Sequence, residues 1–236
     1  NPTLEVIDIA AVAALAKECG AKLIVDNVFA TPLYQKPLTL GADCVVYSAT
    51  KHIDGQGRCL GGIILGSREF IDTHIHQLMR QTGPSISPFN AWVLLKGLET
   101  LAVRVERQAA TARQLADLIA AHPKVVRVNF PGDPKHPQAD IIARQMSGPS
   151  TLIAFEVKGE RAGAYRFLNA LAIVKISNNL GDAKSLITHP ATTTHQRFSP
   201  EVRLAMGIPE GMVRLSCGLE NAQDLAVDIG AALDAV

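Results

Sequence analysis

The first 80 residues alternate between short apolar runs and longer stretches with helical spacing. The helical stretch over 8–19 has Asp8 in position to cap its N-terminus and Gly20 just past its C-terminal end, and a second helix is predicted from about residue 68 to residue 80. Continuous apolar runs are typical of strands buried on both faces of a parallel sheet. Such runs are found at 23–25, 44–47 and 62–65. Helices alternating with buried strands predict an α/β architecture.

A long helical stripe follows, beginning at Ser87-Pro88, a favourable N-cap and first-turn pair, and ending before His122-Pro123. It predicts one helix of about 50 Å at the usual rise per residue. An apolar stripe of this length suits a spine that joins two domains. We therefore expect a domain over 1–110, which includes most of this helix, and a C-terminal α+β domain over 111–236.

The second domain is predicted from alternating and continuous apolar patterns further along the chain. Strands are expected at 125–130, 152–157 and 212–216, a short helix from Ser199-Pro200 to Gly207, and a closing helix over 222–236. The tract between Ser177 and Ser199 is rich in Asn, Thr, Gly and His. It is too long for a simple connection, so we expect a loop that serves a site.

Composition narrows the possible partners. With 47% hydrophobic and 19% charged residues, the chain is ordinary for a globular protein. A net charge of +1 without long basic runs argues against nucleic acid as the main partner. No run reaches the roughly 18 apolar residues of a membrane helix. We expect a small-molecule partner, no membrane and a cytoplasmic location, and the start at Asn1 without a Met suggests the later part of a longer chain.

The four cysteines, Cys19, Cys44, Cys59 and Cys217, lack the paired spacing of zinc sites, which favours reduced thiols over disulfides or metal ligands. His189 and His195 have a spacing that could suit a metal. No neighbouring carboxylate or cysteine completes a set, so loop and capping roles are expected and no metal site is predicted.

The candidate chemistry centres on Lys51, which follows the apolar run that ends in Ser48-Ala49-Thr50. A lysine acts as a Schiff-base nucleophile when its surroundings lower its pKa. If the electrophile is pyridoxal phosphate (PLP), the cofactor also needs a carboxylate for its ring nitrogen and hydroxyls for its phosphate. Asp26, Ser48 and Thr50 are candidates. Taken alone, each is equally compatible with a turn residue, a strand-end cap or, for Lys51, a solvated lysine.

Four segments in collinear order resemble the PLP-dependent enzymes of cysteine and methionine metabolism. They are Leu23-Ile24-Val25-Asp26-Asn27, Ser48-Ala49-Thr50-Lys51-His52, the tract from Asn179 to His195, and Val213-Arg214-Leu215-Ser216-Cys217-Gly218-Leu219-Glu220. The resemblance implies the aspartate-aminotransferase-like fold (PLP fold type I), with part of the large-domain sheet and a smaller C-terminal α+β domain. It also implies a homotetramer built as a dimer of dimers.

The resemblance assigns roles to particular residues. For the cofactor these are Lys51 as the covalent attachment point and catalytic residue, Asp26 at the pyridine nitrogen, Ser48 and Thr50 at the phosphate, and Asn1 at the ring hydroxyl. For the substrate α-carboxylate they are Arg214, Asn179 and Thr194. The role of Arg214 is also supported by its chemistry, because a planar guanidinium binds a carboxylate through two hydrogen bonds. A domain-interface salt bridge is the alternative for Arg214.

Within the family, Gln56 and Arg58 stand where related lyases and synthases usually carry His and Asp. This resembles the branch that replaces the acyl group of an O-acylhomoserine, expected here to be the succinyl ester, with sulfide to give homocysteine. A cystathionine γ-synthase or γ-lyase and a non-catalytic fragment are the alternatives. A serine acyl-transferase is also conceivable from the S-x-x-K spacing, but the chain lacks a K-T-G strand and a strand rather than a helix leads into Ser48.

Overall fold

The computed structural model describes all 236 residues, which form two compact units. The first unit comprises Val6–Ala102 and Asp140–Gly148. The second comprises Asn1–Glu5, Val103–Ala139 and Pro149–Val236. These units divide near residue 102, and the domain boundary expected near residue 110 stays a prediction.

The chain contains ten α-helices and eight strands. The helices are α1 Ile9–Glu18, α2 Thr31–Tyr34, α3 Arg68–Phe70, α4 Gln77–Thr82, α5 Pro88–Glu99, α6 Leu101–Ala121, α7 Ala139–Gln145, α8 Glu160–Ala170, α9 Pro200–Ala205 and α10 Ala222–Asp234. The strands are β1 Ile24–Asp26, β2 Cys44–Ser48, β3 Gly62–Gly66, β4 Val125–Asn129, β5 Leu152–Val157, β6 Lys175–Ile176, β7 Leu186–Thr188 and β8 Met212–Ser216. Short 3₁₀ turns occur at Pro37–Leu40 and Pro190–Thr192, and a π-helical segment at Ile71–His76 joins α3 to α4. No helix is both long and apolar enough to cross a membrane.

The first unit is built on a three-stranded sheet in the order β1-β2-β3. Strands β1 and β2 run parallel, with Asp26 opposite Val46, and β3 pairs antiparallel with β2. The three predicted strands are therefore present. The expected burial of β1 on both faces is wrong for this chain, because β1 is an edge strand and Ile24 is 58% exposed.

The helix ends of the first unit follow the sequence signals. The Asp8 carboxylate accepts from Ala11 N at 3.1 Å at the start of α1, and Gly20 takes the left-handed conformation (φ +66°) just beyond its end. Ser87 caps α5 by accepting from Asn90 N.

The single long helix predicted from residue 88 to residue 121 is interrupted. Thr100, with φ −112° and ψ 5°, separates α5 from α6. The Thr100 N–H donates to the Gly97 carbonyl at 3.3 Å, and the Thr100 hydroxyl donates to the same carbonyl at 3.4 Å. The threonine side chain thus competes with the regular helical hydrogen bond and ends the helix.

The second unit is built on a five-stranded sheet in the order β4-β5-β8-β7-β6. All neighbouring pairs are antiparallel except the parallel pair β6–β7. Apolar residues of α6, α8 and α10, among them Leu115, Phe167 and Ile229, form one core with Phe155 and Leu215 of the sheet. The tract from 177 to 199 was expected to be a loop throughout, which is wrong, because β7 lies inside it and pairs with β8. Three strand residues give too short an apolar pattern to stand out among polar neighbours.

Candidate active site

The carboxyl ends of β1 and β2 form one edge of the first-unit sheet, because the two strands are parallel. Asp26 ends β1, and the backbone N–H of Asn27 donates to the Val46 carbonyl at 3.1 Å. The Asp26 side chain is exposed, and its Oδ1 accepts from Val28 N at 3.1 Å. The second carboxylate oxygen can therefore accept a hydrogen bond from a protonated ring nitrogen.

The turn that carries Lys51 leaves the same edge, directly after β2. Two backbone hydrogen bonds close it, from Asp54 N to the Ala49 carbonyl at 2.8 Å and from Gly55 N to the Lys51 carbonyl at 2.7 Å. Lys51 is half-buried. The Thr50 Oγ1 accepts from Gly61 N at 3.2 Å, which leaves its hydroxyl hydrogen able to donate to an anion.

Asn27 stabilises this edge of the sheet through side-chain hydrogen bonds. It was not identified as a site residue from the sequence. Its buried side-chain amide nitrogen lies within hydrogen-bond distance of three oxygens, the carbonyls of Thr31 and Gln35 and the Tyr47 hydroxyl, the last at 2.9 Å. The Gln35 amide donates back to Asn27 Oδ1 at 2.8 Å. Burial raises the pKa of Tyr47, so this hydroxyl stays protonated. In the sequence, the only feature that points to Asn27 as a site residue is its position directly after Asp26.

Asp54 stabilises the chain that follows Lys51. This residue was also not identified from the sequence. Its side chain is fully buried and forms an ion pair with Arg58 Nε at 2.8 Å. The Cys59 N–H donates to the same carboxylate at 3.4 Å. Arg58, noted in the sequence as a departure from the lyases, therefore serves in this structure to hold the turn after Lys51.

The turn also rests directly on helix α5. A Cβ atom added at Gly97 would lie 2.2 Å from the Ile53 carbonyl oxygen, so backbone meets backbone at this point. We expect Gly97→Ala to destabilise the protein by about 1–3 kcal/mol through overpacking. Gly230→Ala in α10 is the matched control, because a Cβ there meets nothing within 4 Å. Thermal unfolding measures both, and an unchanged or higher midpoint for Gly97→Ala would contradict the close contact.

A second group of polar residues surrounds Arg214 in strand β8 of the second unit. Arg214 is only 2% exposed. One guanidinium nitrogen donates to Asn1 Oδ1 at 2.7 Å, and the other terminal nitrogen donates to the Asn178 carbonyl at 3.2 Å. Burial lowers the pKa of Arg214 to about 10, so the group remains charged at neutral pH. A carboxylate bound here would offset the cost of burying this charge.

The other predicted carboxylate ligands lie in the same unit. Asn179 is half-buried, follows the residue whose carbonyl holds Arg214, and its N–H donates to Ser177 Oγ at 3.2 Å. Thr194 is exposed, and its hydroxyl is 2.9 Å from His195 Nδ1. Burial lowers the pKa of His195, and the charge of Arg214 adds to the effect. His195 therefore has an uncharged imidazole, on which the charge of Arg214 acts.

The structure thus places the predicted residues in two groups, one in each unit. Lys51, Asp26, Ser48 and Thr50 lie in the first unit. Arg214, Asn179, Thr194 and Asn1 lie in the second. Asn1, expected at the cofactor ring, is hydrogen-bonded to Arg214, and its role toward the cofactor stays a prediction.

The family model for Cys/Met metabolism PLP-dependent enzymes matches residues 1–234. The chain belongs to this family. It is 55% identical over 239 residues to an O-succinylhomoserine sulfhydrylase of Mycobacterium tuberculosis and 44% identical over 236 residues to an L-methionine γ-lyase of Pseudomonas putida. These alignments cover 99% and 100% of the chain. A cystathionine γ-lyase from Lactobacillus plantarum superposes with a TM-score of 0.95 at 34% identity, over 100% of the chain and 62% of that protein.

These likenesses confirm the predicted family, its type I fold and its dependence on PLP. The chain spans 58% of the length of the sulfhydrylase relative and 59% of the γ-lyase relative. The names of these two relatives give different substrates and different reactions.

Proposed function

We propose that the full-length protein is a PLP-dependent sulfhydrylase. It converts O-succinylhomoserine and sulfide to homocysteine and succinate, a step in methionine biosynthesis. The observation that supports this most directly is the Lys51 turn, fixed by hydrogen bonds at the sheet edge where Asp26 ends its strand.

The first-unit residues fit PLP. Lys51 would hold the aldehyde carbon, the free Asp26 oxygen would keep the ring nitrogen protonated, and the Thr50 hydroxyl, together with Ser48, would donate to the phosphate. When bound, the cofactor withdraws electrons from the substrate carbon next to the amino group. The chain contributes binding, orientation and proton transfer.

In this proposal Arg214 holds the substrate α-carboxylate through its planar guanidinium. The amine of Lys51, when it is not bound to the cofactor, would remove the proton from the α-carbon. Loss of a further proton at the β-carbon allows the γ C–O bond to break, and succinate leaves with its electron pair. Sulfide then forms the γ C–S bond, and protons return to the β- and α-carbons to give homocysteine.

The choice of ester and acceptor is supported by two observations. The sulfhydrylase relative is more similar than the methionine γ-lyase relative, at 55% against 44% identity. Gln56 and Arg58 also depart from the pattern of the lyases and synthases. A cystathionine γ-synthase would use cysteine as acceptor, and a γ-lyase would use water, so the acceptor distinguishes these rivals.

We expect homocysteine to form from O-succinylhomoserine and sulfide at least about tenfold faster than from the acetyl ester, because the succinyl ester carries a second carboxylate that a site for it would bind and that the acetyl ester lacks. Rates with sulfide, with cysteine and without any thiol should be measured side by side for both esters. Faster formation of cystathionine from cysteine, or release of ammonia and a 2-oxo acid without a thiol, would contradict the proposed reaction.

A non-catalytic role is the remaining alternative. Adding PLP to the full-length protein and recording the visible absorbance separates the two, because a cofactor-free scaffold would develop no protein-bound band. We also propose a homotetramer arranged as a dimer of dimers and a cytoplasmic location. Sedimentation of the purified protein tests the tetramer.

A further inference from the structure

A cluster of charged residues in the second unit, of which only Arg203 is buried, is not used by the chemistry above. The Glu210 carboxylate lies between two arginines. Arg161 Nε donates to Oε2 at 2.7 Å, and a terminal nitrogen of Arg203 donates to Oε1. The Arg203 side chain is only 5% exposed. Hydrogen bonds from Arg161 and Arg203 lower the pKa of Glu210 to about 2, so it is an anion at neutral pH.

The same cluster reaches His189 through the backbone. His189 Nε2 lies 2.7 Å from the Glu210 carbonyl oxygen. A carbonyl can only accept, so Nε2 carries the hydrogen. Burial lowers the pKa of His189, so the ring is neutral and Nδ1 accepts from the Thr192 hydroxyl at 2.8 Å. Arg203 also donates to the Phe198 carbonyl at 2.5 Å. We call the group of Arg161, Arg203, Glu210 and His189 the Glu210 clamp. This clamp holds both ends of the segment 189–198.

This segment begins beside Arg214 and folds back toward the same strand end. Thr188, the last residue of β7, is directly opposite Arg214 in the β7–β8 pair. The Thr188 and Thr193 hydroxyl oxygens are 2.8 Å apart, which draws the segment back toward the strand end. Further along, burial lowers the pKa of His195, and the positive charge of Arg214 contributes to the same shift. The position of the segment thus determines which groups stand beside the Arg214 guanidinium.

We infer that the Glu210 clamp positions the segment 189–198 so that Thr194 and His195 complete the binding site for the substrate α-carboxylate at Arg214. This inference rests on the proposed role of Arg214. The clamp residues are positioning residues, because they act through the segment and not on the reacting atoms. Loosening the clamp weakens the binding of carboxylate-bearing ligands and leaves the cofactor group of the first unit unchanged.

The test compares two ligands that differ only in the carboxylate. L-2-aminobutyrate carries the amine and the α-carboxylate, and propylamine is the same chain without the carboxylate. Both are titrated into the PLP-loaded full-length protein, and dissociation constants are read from the cofactor absorbance. Glu210→Gln removes the charge that pairs with both arginines and keeps the backbone carbonyl that faces His189.

The matched control is Glu156→Gln, since Glu156 pairs with Arg127 at 3.1 Å and has a similar exposure of 22% against 26% for Glu210. Glu210→Gln leaves Arg203 buried without its carboxylate and can fail to fold. Thr192→Val therefore serves as a second variant, since it removes only the hydroxyl that binds His189 Nδ1.

We expect Glu210→Gln to raise the dissociation constant of L-2-aminobutyrate about tenfold, as displaced positioning groups do, while that of propylamine changes less than about twofold. Thr192→Val should raise the dissociation constant of L-2-aminobutyrate about threefold and leave that of propylamine nearly unchanged. Glu156→Gln should change neither constant. Equal weakening of both ligands, or no change in either, overturns the inference; if Glu210→Gln does not fold, Thr192→Val decides alone. If the unmodified protein itself binds L-2-aminobutyrate no better than propylamine, the proposed role of Arg214 fails instead.

Discussion

Replacing Lys51 with Ala abolishes both turnover and the visible absorbance of the bound cofactor. The amine of Lys51 is proposed both to hold PLP and to carry the protons of the reaction, and no other group of the described turn can form the same bond. Loss of such a combined nucleophile and base typically costs several orders of magnitude in rate. The measurement is the rate of homocysteine formation together with the absorbance spectrum of the PLP-treated full-length protein.

The control for this experiment is Lys36→Ala. Lys36 is an exposed lysine of the same unit, and its backbone carbonyl accepts from the Thr39 N–H at 3.0 Å and from the Thr39 hydroxyl at 2.8 Å. Its loss should leave rate and spectrum unchanged. A Lys51→Ala protein that keeps its absorbance band and its turnover would contradict the assignment of Lys51.

Arg214→Lys is expected to raise the KM for the amino-acid substrate about 100-fold, because one point charge replaces two directed hydrogen bonds to a carboxylate. The positive charge is kept, so the effect isolates the planar geometry of the guanidinium. The cofactor spectrum should be unchanged, since Arg214 lies in the second unit and is proposed to contact only the substrate.

Steady-state kinetics on the full-length protein measure this change, with Arg127→Lys as the control. The Arg127 side chain is 45% exposed and pairs with Glu156, so its replacement should leave KM within about twofold, as surface ion pairs contribute little. An unchanged KM for Arg214→Lys, or an equal rise for both variants, would rule out Arg214 as the carboxylate ligand.

Local sequence signals predicted the helix ends and the central strands well. Asp8 and Ser87 cap the helices that they were expected to cap, because a side-chain oxygen near an unpaired N–H acts over three residues. The strands that end in Asp26 and Ser48 were found from short apolar runs. The motif residues followed from the resemblance to the family, which the comparisons confirm.

Features that depend on distant contacts were not accessible from the sequence. The exposure of Ile24 depends on which strands lie beside β1, and the break at Thr100 depends on one side chain turning to the Gly97 carbonyl. The short strand β7 gains its stability from pairing with β8, in which Thr188 lies opposite Arg214 and Leu186 opposite Ser216, far apart in the sequence. Local propensity carries no information about such pairings.

The supporting residues of the candidate site were missed for the same reason. Asn27 and Asp54 are polar residues whose burial shows only once their partners are in place. Glu210 and Arg203 are seven residues apart with a turn between them, and Arg161 joins them from a different helix. Buried polar residues of this kind satisfy each other in three dimensions and leave no periodic pattern.

The proposed reaction depends most on Lys51 as the residue that carries PLP. Borohydride reduction of the PLP-loaded full-length protein fixes the cofactor to the lysine that holds it, and peptide mapping by mass spectrometry then identifies that lysine. We predict that the modified peptide contains Ser48-Ala49-Thr50-Lys51 and that Lys51 bears the cofactor. Modification of any other lysine, or of none, would contradict the account.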